Sequence, residues 1–168
     1  MESCVYFSDN FFSSGRTDIY NGQKEMVGAL NLKSAFSSSV DVENAQGEIV
    51  VQGSFPIFSN KWNIQRRGGE ELGRVKTSFS FFTKRYRYET GSQSLEIESP
   101  ALSKDYTMVD KNGSEVATFR KVSGVFQSAA YELQNHTGSL MTEELISVVM
   151  GVNAIEKRRR SSANGTPT

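Results

Sequence analysis

Two residue types on which much catalysis and metal binding depend, histidine and cysteine, are nearly absent from the chain. Its 168 residues include one cysteine, Cys4, and one histidine, His136. A lone cysteine has no partner for a disulfide within the chain. A zinc centre takes about four N, S or O ligands in tetrahedral geometry, for which Cys4, His136 and scattered carboxylates are a poor set. A Ser-His-Asp triad would have to use His136, but Gln134-Asn135-His136-Thr137-Gly138 is a string of turn-formers and reads as an exposed loop. Charge of one sign is also lacking, since 19 Lys and Arg balance 19 Asp and Glu. The basic excess of a dedicated nucleic-acid binder is therefore absent. Arg66-Arg67-Gly68-Gly69 fits neither the P-loop nor the dinucleotide fingerprint.

Addressing signals are equally scarce. Met1-Glu2-Ser3-Cys4-Val5-Tyr6 lacks the basic and apolar regions of a secretory peptide, and Glu2 excludes N-myristoylation. No run reaches the ~20 apolar residues of a membrane span. The expected location is cytoplasmic, and the sequons at Asn112, Asn135 and Asn164 read as turn chemistry. No cofactor is implied.

What is present is the composition of an ordinary globular domain, 37% hydrophobic and 23% charged, which excludes wholesale disorder. Turn signals recur at Asn21-Gly22, Asn44 to Gly47, Gly68-Gly69, Gly91-Ser92 and Asn112-Gly113. Between them lie short runs of Val, Ile, Phe, Tyr and Thr, the pattern of a meander closing into a sandwich or barrel. A repeat underlies the spacing. Shifting the chain by 44 residues sets Trp62 on Tyr106, Gly69 on Gly113, Glu71 on Glu115, Leu72 on Val116 and Val75 on Phe119. A fainter copy runs from Tyr20 through Asn21-Gly22 to Leu30. The unit is a β-hairpin whose reversal uses residues that tolerate positive φ. One hairpin cannot bury its apolar face alone, so the copies imply a shared sheet or barrel.

The end of the chain changes character. Thr142 is a candidate cap, Glu143 and Glu144 put acid in a first helical turn, and Lys157 to Arg160 put base at the other end, both in the sense the helix dipole favours. From Leu145 to Ile155 no residue is charged, and apolar side chains lie all round the axis. Such a helix is buried on nearly every side, either enclosed by the sheet or inserted into a partner, and its charged edges and absent polar face favour enclosure. Leu145, Ile146, Val148, Val149, Val152 and Ile155 are its expected core residues. The predicted organisation is one domain over 1–156, with its helix at about 142–156, and a basic then disordered tail over 157–168.

The stretch from Asp105 to Ala117, with its aromatic start, Asn112-Gly113 turn and Val116-Ala117 return, resembles a hairpin of the LURP-one-related proteins. Leu145 to Ile155 resembles the last helix of the same family, which belongs to the tubby C-terminal-like superfamily and is related to scramblase-like proteins. The similarity covers roughly Phe11 to Ile155 and is strongest from Tyr86 onward. The resemblance implies a closed, mostly antiparallel barrel of about twelve strands whose bore is filled by the C-terminal helix. It also implies a membrane-lipid role, since tubby proteins bind phosphoinositides, although their headgroup contacts have no residue-by-residue match here.

Charge supplies an independent pointer. Between 61 and 87 the basic residues Lys61, Arg66, Arg67, Arg74, Lys76, Lys84, Arg85 and Arg87 face only Glu70 and Glu71, with Phe79, Phe81, Phe82, Tyr86 and Tyr88 interleaved or adjacent. Basic side chains near an anionic bilayer contribute about 1 kcal/mol each. These eight are the candidate lipid-binding residues. The competing reading pairs them with acids on neighbouring strands. Glu70-Glu71 and the Glu96/Glu98 pair are the only carboxylates that suggest acid–base chemistry, and Glu96 and Glu98 are equally the outer face of a strand whose inner face holds Leu95 and Ile97. The expectation is a non-catalytic module for anionic phospholipid headgroups, peripheral at a membrane, with a protein-interaction or stress-response scaffold as the alternative. Neither a nucleic-acid partner nor a transmembrane segment is expected.

Overall fold

A computed structural model of the chain describes residues 1–33, 39–78, 84–100, 103–124 and 130–163, the side chain of Lys84 excepted. Among these residues twelve strands precede one helix. They are β1 (Cys4–Ser8), β2 (Gly15–Tyr20), β3 (Met26–Leu32), β4 (Ser39–Asn44), β5 (Ile49–Ser54) and β6 (Trp62–Arg66), followed by β7 (Glu71–Ser78), β8 (Lys84–Thr90), β9 (Ser94–Ser99), β10 (Tyr106–Val109), β11 (Glu115–Val122) and β12 (Ala130–Asn135). Each pairs antiparallel with its neighbours in sequence, and β1 pairs with β12 to close the barrel. Closure leaves no edge strand to protect.

Four of the hairpins share one pattern of backbone bonds. In β2–β3, β4–β5, β6–β7 and β10–β11 the N–H of Asn21, Asn44, Arg66 and Asp110 donates to the carbonyl four residues on. The N–H of Lys24, Gly47, Gly69 and Gly113 donates back to the first carbonyl, and these four residues have positive φ. The register slips at each, between Ile19 and Tyr20, Val42 and Glu43, Ile64 and Gln65, and Met108 and Val109. In β2–β3, β4–β5 and β10–β11 this is the three-residue loop in which a type I turn ends in a left-handed bulge residue. In β6–β7 Gly68, at φ 101°, is left-handed as well as Gly69, so that turn is not type I. Side-chain oxygens of Asn21, Asn44 and Asp110 accept from the N–H groups two and four residues on, which ties the turn to those residue types. The 44-residue repeat is thus a real hairpin repeat, and β4–β5 is a further copy that the offset did not reveal. One detail differs from the sequence reading: in the first hairpin the left-handed residue is Lys24, at φ 66°, and not Gly22.

The helix α1 (Thr142–Ala163) fills the bore. Every residue from 142 to 153 is buried, so these turns have no solvent face. Leu145, Ile146, Val148, Val149, Val152 and Ile155 pack with Trp62, Tyr86, Tyr88, Leu95, Ile97 and Phe119 from the inner wall. Trp62 is wedged between strand and helix: a Cβ on Gly151 would lie 2.5 Å from its Cδ1, and a Cβ on Gly53 2.5 Å from its Nε1. The cap is Met141 and not Thr142. Leu145 N–H donates to the Met141 carbonyl, the Glu144 carboxylate accepts from the Met141 backbone, and the Thr142 hydroxyl accepts from Asn135 Nδ2. Nor does the helix stop near 156. It continues to Ala163, with Arg160 paired to Glu156 and the hydroxyls of Ser161 and Ser162 donating to the carbonyls of Lys157 and Arg158. The last helical turns are therefore strongly basic, the sense the dipole favours.

Candidate functional site

An antiparallel meander sorts its connections onto two rims. The tight hairpins at 21–25, 45–48, 67–70, 91–93 and 110–114 lie on one, together with 136–141 and the helix N-terminus. The longer connections lie on the other, among them the described segments 9–14, 55–61 and 103–105. A helix of this length rises about 33 Å, enough to traverse the barrel and emerge at the loop rim. Bonds at its two ends agree: Tyr88 donates to Glu144 near the hairpin rim, whereas Lys157 and Arg158 reach Phe12 and Ser59 in loop-rim connections.

The eight candidate cations are split by this geometry. Arg66 and Arg67 sit at the hairpin rim, while Lys61 lies in the 55–61 connection at the loop rim. Arg74 and Lys76 on β7 and Arg85 and Arg87 on β8 point outward, because Val75, Tyr86 and Tyr88 take the inward positions. Lys84 begins β8 on the loop-rim side. Acids meet most of them. Arg66 lies 3.3 Å from Glu70, Arg74 2.8 Å from Glu71 and Lys76 2.6 Å from Glu89. Arg85 lies 2.9 Å from Glu98 and Arg87 3.3 Å from Glu96. The outer face of β7–β9 is a ladder of alternating sign, the arrangement in which Glu96 and Glu98 are strand-surface partners of arginines. Tyr86 and Tyr88 are inside the barrel. Phe79, Phe81 and Phe82 lie outside the described residues. His136 is exposed at the hairpin rim, 3.3 Å from Glu115. Asn135 ties the 135–142 loop together, donating to Leu140 and Thr142 and accepting from Thr137, so this sequon is turn chemistry.

The loop rim carries a different arrangement, which the sequence reading did not single out. In the 55–61 connection the Ser59 N–H donates to the Pro56 carbonyl at 3.1 Å, closing a turn over Ile57 and Phe58. Phe58 has φ 59°, a left-handed conformation that such a turn normally fills with glycine. Ile57 is 86% exposed and Phe58 107%. The turn is supported from below. Phe55 packs edge-on against Trp62, the Arg158 guanidinium lies 3.5 Å over the Phe55 ring, and Arg158 also donates to the Ser59 carbonyl. Lys157 donates to the Phe12 carbonyl and Lys104 lies over the Phe12 ring. Beside the emerging helix is a cleft of about 280 Å³ lined by Tyr86, Glu156, Arg159, Arg160 and Ala163. Burial, reinforced by Glu156, pushes the Tyr86 hydroxyl well above its usual range, so it stays a neutral donor to that carboxylate. An apolar tip therefore shares one rim with Lys61 and the Lys157–Arg160 run.

Among the described residues no group of three or more potential metal ligands comes together, and no helix is long and apolar enough to cross a membrane.

No protein-family model and no curated protein sequence matches the chain. Among solved structures it is similar to the X-ray structure of a protein from Arabidopsis thaliana, with a TM-score of 0.62 and 11% identity over 89% of this chain and 90% of that one. At that identity the likeness is one of fold.

Proposed function

We propose that the barrel is a non-catalytic binding module for anionic phospholipid headgroups, acting at a membrane surface through its loop rim. The observation that carries the reading is the placement of the helical basic run. Lys157 and Arg158 are held by carbonyl oxygens and by an aromatic ring, and Lys61 lies in the adjoining connection. Cations anchored in this way keep their charge available to a partner, whereas those on the β7–β9 face are already met by carboxylates. The cleft beside the helix carries Arg159 and Arg160 on its wall, cations that suit a headgroup phosphate, while Glu156, which also lines it, is largely buried and paired with Arg160.

We also propose membership of the LURP-one-related family of the tubby C-terminal-like superfamily. The resemblance of the Asp105–Ala117 hairpin and the Leu145–Ile155 helix supports this reading, as does their place in a twelve-strand barrel around a central helix.

Co-sedimentation with vesicles tests the headgroup reading. Binding should require phosphatidylserine or a phosphoinositide and weaken as salt shortens the Debye length below ~8 Å. Charge reversal at Arg158 and Arg159 should reduce binding, whereas the same change at Arg66 and Arg67 on the far rim should not. No sedimentation with any anionic lipid at low salt would favour a protein-interaction scaffold instead.

A further inference from the structure

Building on the headgroup reading, we propose that Ile57 and Phe58 form a bilayer wedge. They enter the boundary between headgroups and acyl chains while Lys61 and the Lys157–Arg160 run hold the anionic lipid around them. The tip is unfavourable twice over as an isolated structure. A bulky L-residue at φ 59° is strained where glycine would be relaxed, and the same side chain is 107% exposed to water beside an 86% exposed isoleucine. Scattered exposed apolar residues need no explanation, but strain and exposure at one residue, next to a second exposed one, do. Among the described residues the other exposed large hydrophobic is Met26, which starts β3 at the opposite rim. The turn is also braced. Phe55 rests on Trp62, and Arg158 clamps both the Phe55 ring and the Ser59 carbonyl, so the tip is presented on a fixed base. Its surroundings select the occupant. An apolar point among lysines and arginines complements an anionic bilayer, where apolar depth and surface charge act together.

The test uses the full chain and vesicles of phosphatidylcholine with or without phosphatidylserine. Phe58→Gly relaxes the turn, so it should melt no lower than the parent and higher if the strain is relieved. Its partition into anionic vesicles should nevertheless fall about tenfold, because the aromatic contribution to burial is gone. An environment-sensitive fluorophore on Phe58→Cys, in a Cys4→Ser background, should shift to the blue on anionic vesicles and be quenched by lipids labelled in the acyl chain. The same fluorophore on Arg67→Cys should show neither effect. If the parent binds anionic vesicles with salt sensitivity but Phe58→Gly binds equally and the fluorophore stays unquenched, the wedge is wrong and the headgroup reading stands. A parent that binds no vesicle overturns both. A dimer in solution that Phe58→Gly dissociates would assign the tip to self-association and overturn the wedge.

Discussion

Replacing Gly151 by alanine should destabilise the barrel, although alanine is the better helix former. On a solvent-exposed helix the change would gain about 1 kcal/mol. Here the new methyl would lie 2.5 Å from Trp62 Cδ1 and 2.7 Å from Cγ, well inside contact distance. The indole cannot retreat. A Cβ built on Gly53 of β5 would come within 2.5 Å of Nε1, so strand backbone lies close behind the ring, and Nε1 donates to Ser147 Oγ at 3.4 Å. Overpacking of this kind costs about 1–3 kcal/mol. Set against the helix gain, the net loss is about 0–2 kcal/mol, from a typical total of ~5–15. For a domain of this size that lowers the Tm by up to roughly 8 °C. Circular dichroism follows the helix and barrel, and because Trp62 is the single tryptophan, its emission reports the same contact. Combined with Trp62→Phe, Gly151→Ala should cost less than it does alone, a coupling that a double-mutant cycle measures. A rise in Tm for Gly151→Ala in the parent would refute the enclosed helix, since only an unobstructed face allows alanine to stabilise.

Val149→Asp should cost on the order of several kcal/mol by placing an unpaired carboxylate in the bore, read as a collapse of the thermal transition. A chain truncated before Glu143 should aggregate as an empty barrel, detected by light scattering, and a folded monomer would refute the helix-filled core. Lys24→Gly should stabilise by up to about 1 kcal/mol, because Lys24 is exposed and holds φ 66° where glycine is unstrained, and denaturant unfolding checks it. Burial pushes the Glu144 carboxyl above its ordinary 4.5, so its protonated form is favoured in the fold and its stabilising contribution is present below that value and lost as pH rises through the folded one. Glu144→Gln can still accept from Tyr88, so it should melt higher than the parent near neutral pH, with the difference closing as pH falls towards 4.5. Tyr106→Phe should be neutral or stabilising by about 1 kcal/mol, since the buried hydroxyl has no partner among the described residues.

Much of the architecture was legible because it rests on local chemistry. The Asn and Asp turn residues and the glycines at 47, 69 and 113 fix their own hairpins through bonds spanning five residues or fewer, and such signals survive in a linear string. The all-round apolar run from Leu145 to Ile155 requires enclosure whatever surrounds it, because no face of it suits water. What sequence pattern missed involved backbone geometry or distant pairing. Lys24 takes the left-handed place that Gly22 suggested, because the third loop position sets φ and residue type only adjusts its cost.

The basic segment from 61 to 87 marks where the limit lies. By itself the sequence determined that cations cluster there, that acids lie mostly elsewhere along the chain, that the hairpins must share a sheet or barrel, and that an apolar helix must be buried. Only the tertiary structure decided that Arg66 and Lys61, five residues apart, lie on opposite rims, since a single strand carries the chain across the barrel between them. It also decided that Lys76, Arg85 and Arg87 meet Glu89, Glu98 and Glu96, and that Arg158 comes to lie over Phe55 and beneath an exposed Ile57-Phe58 tip. The physical reason is range. Turn bonds and helix periodicity act over a few residues and are written in order. Ion pairing and surface composition depend on which strands adjoin and which rim a loop occupies, and barrel closure sets both only after the whole chain has folded.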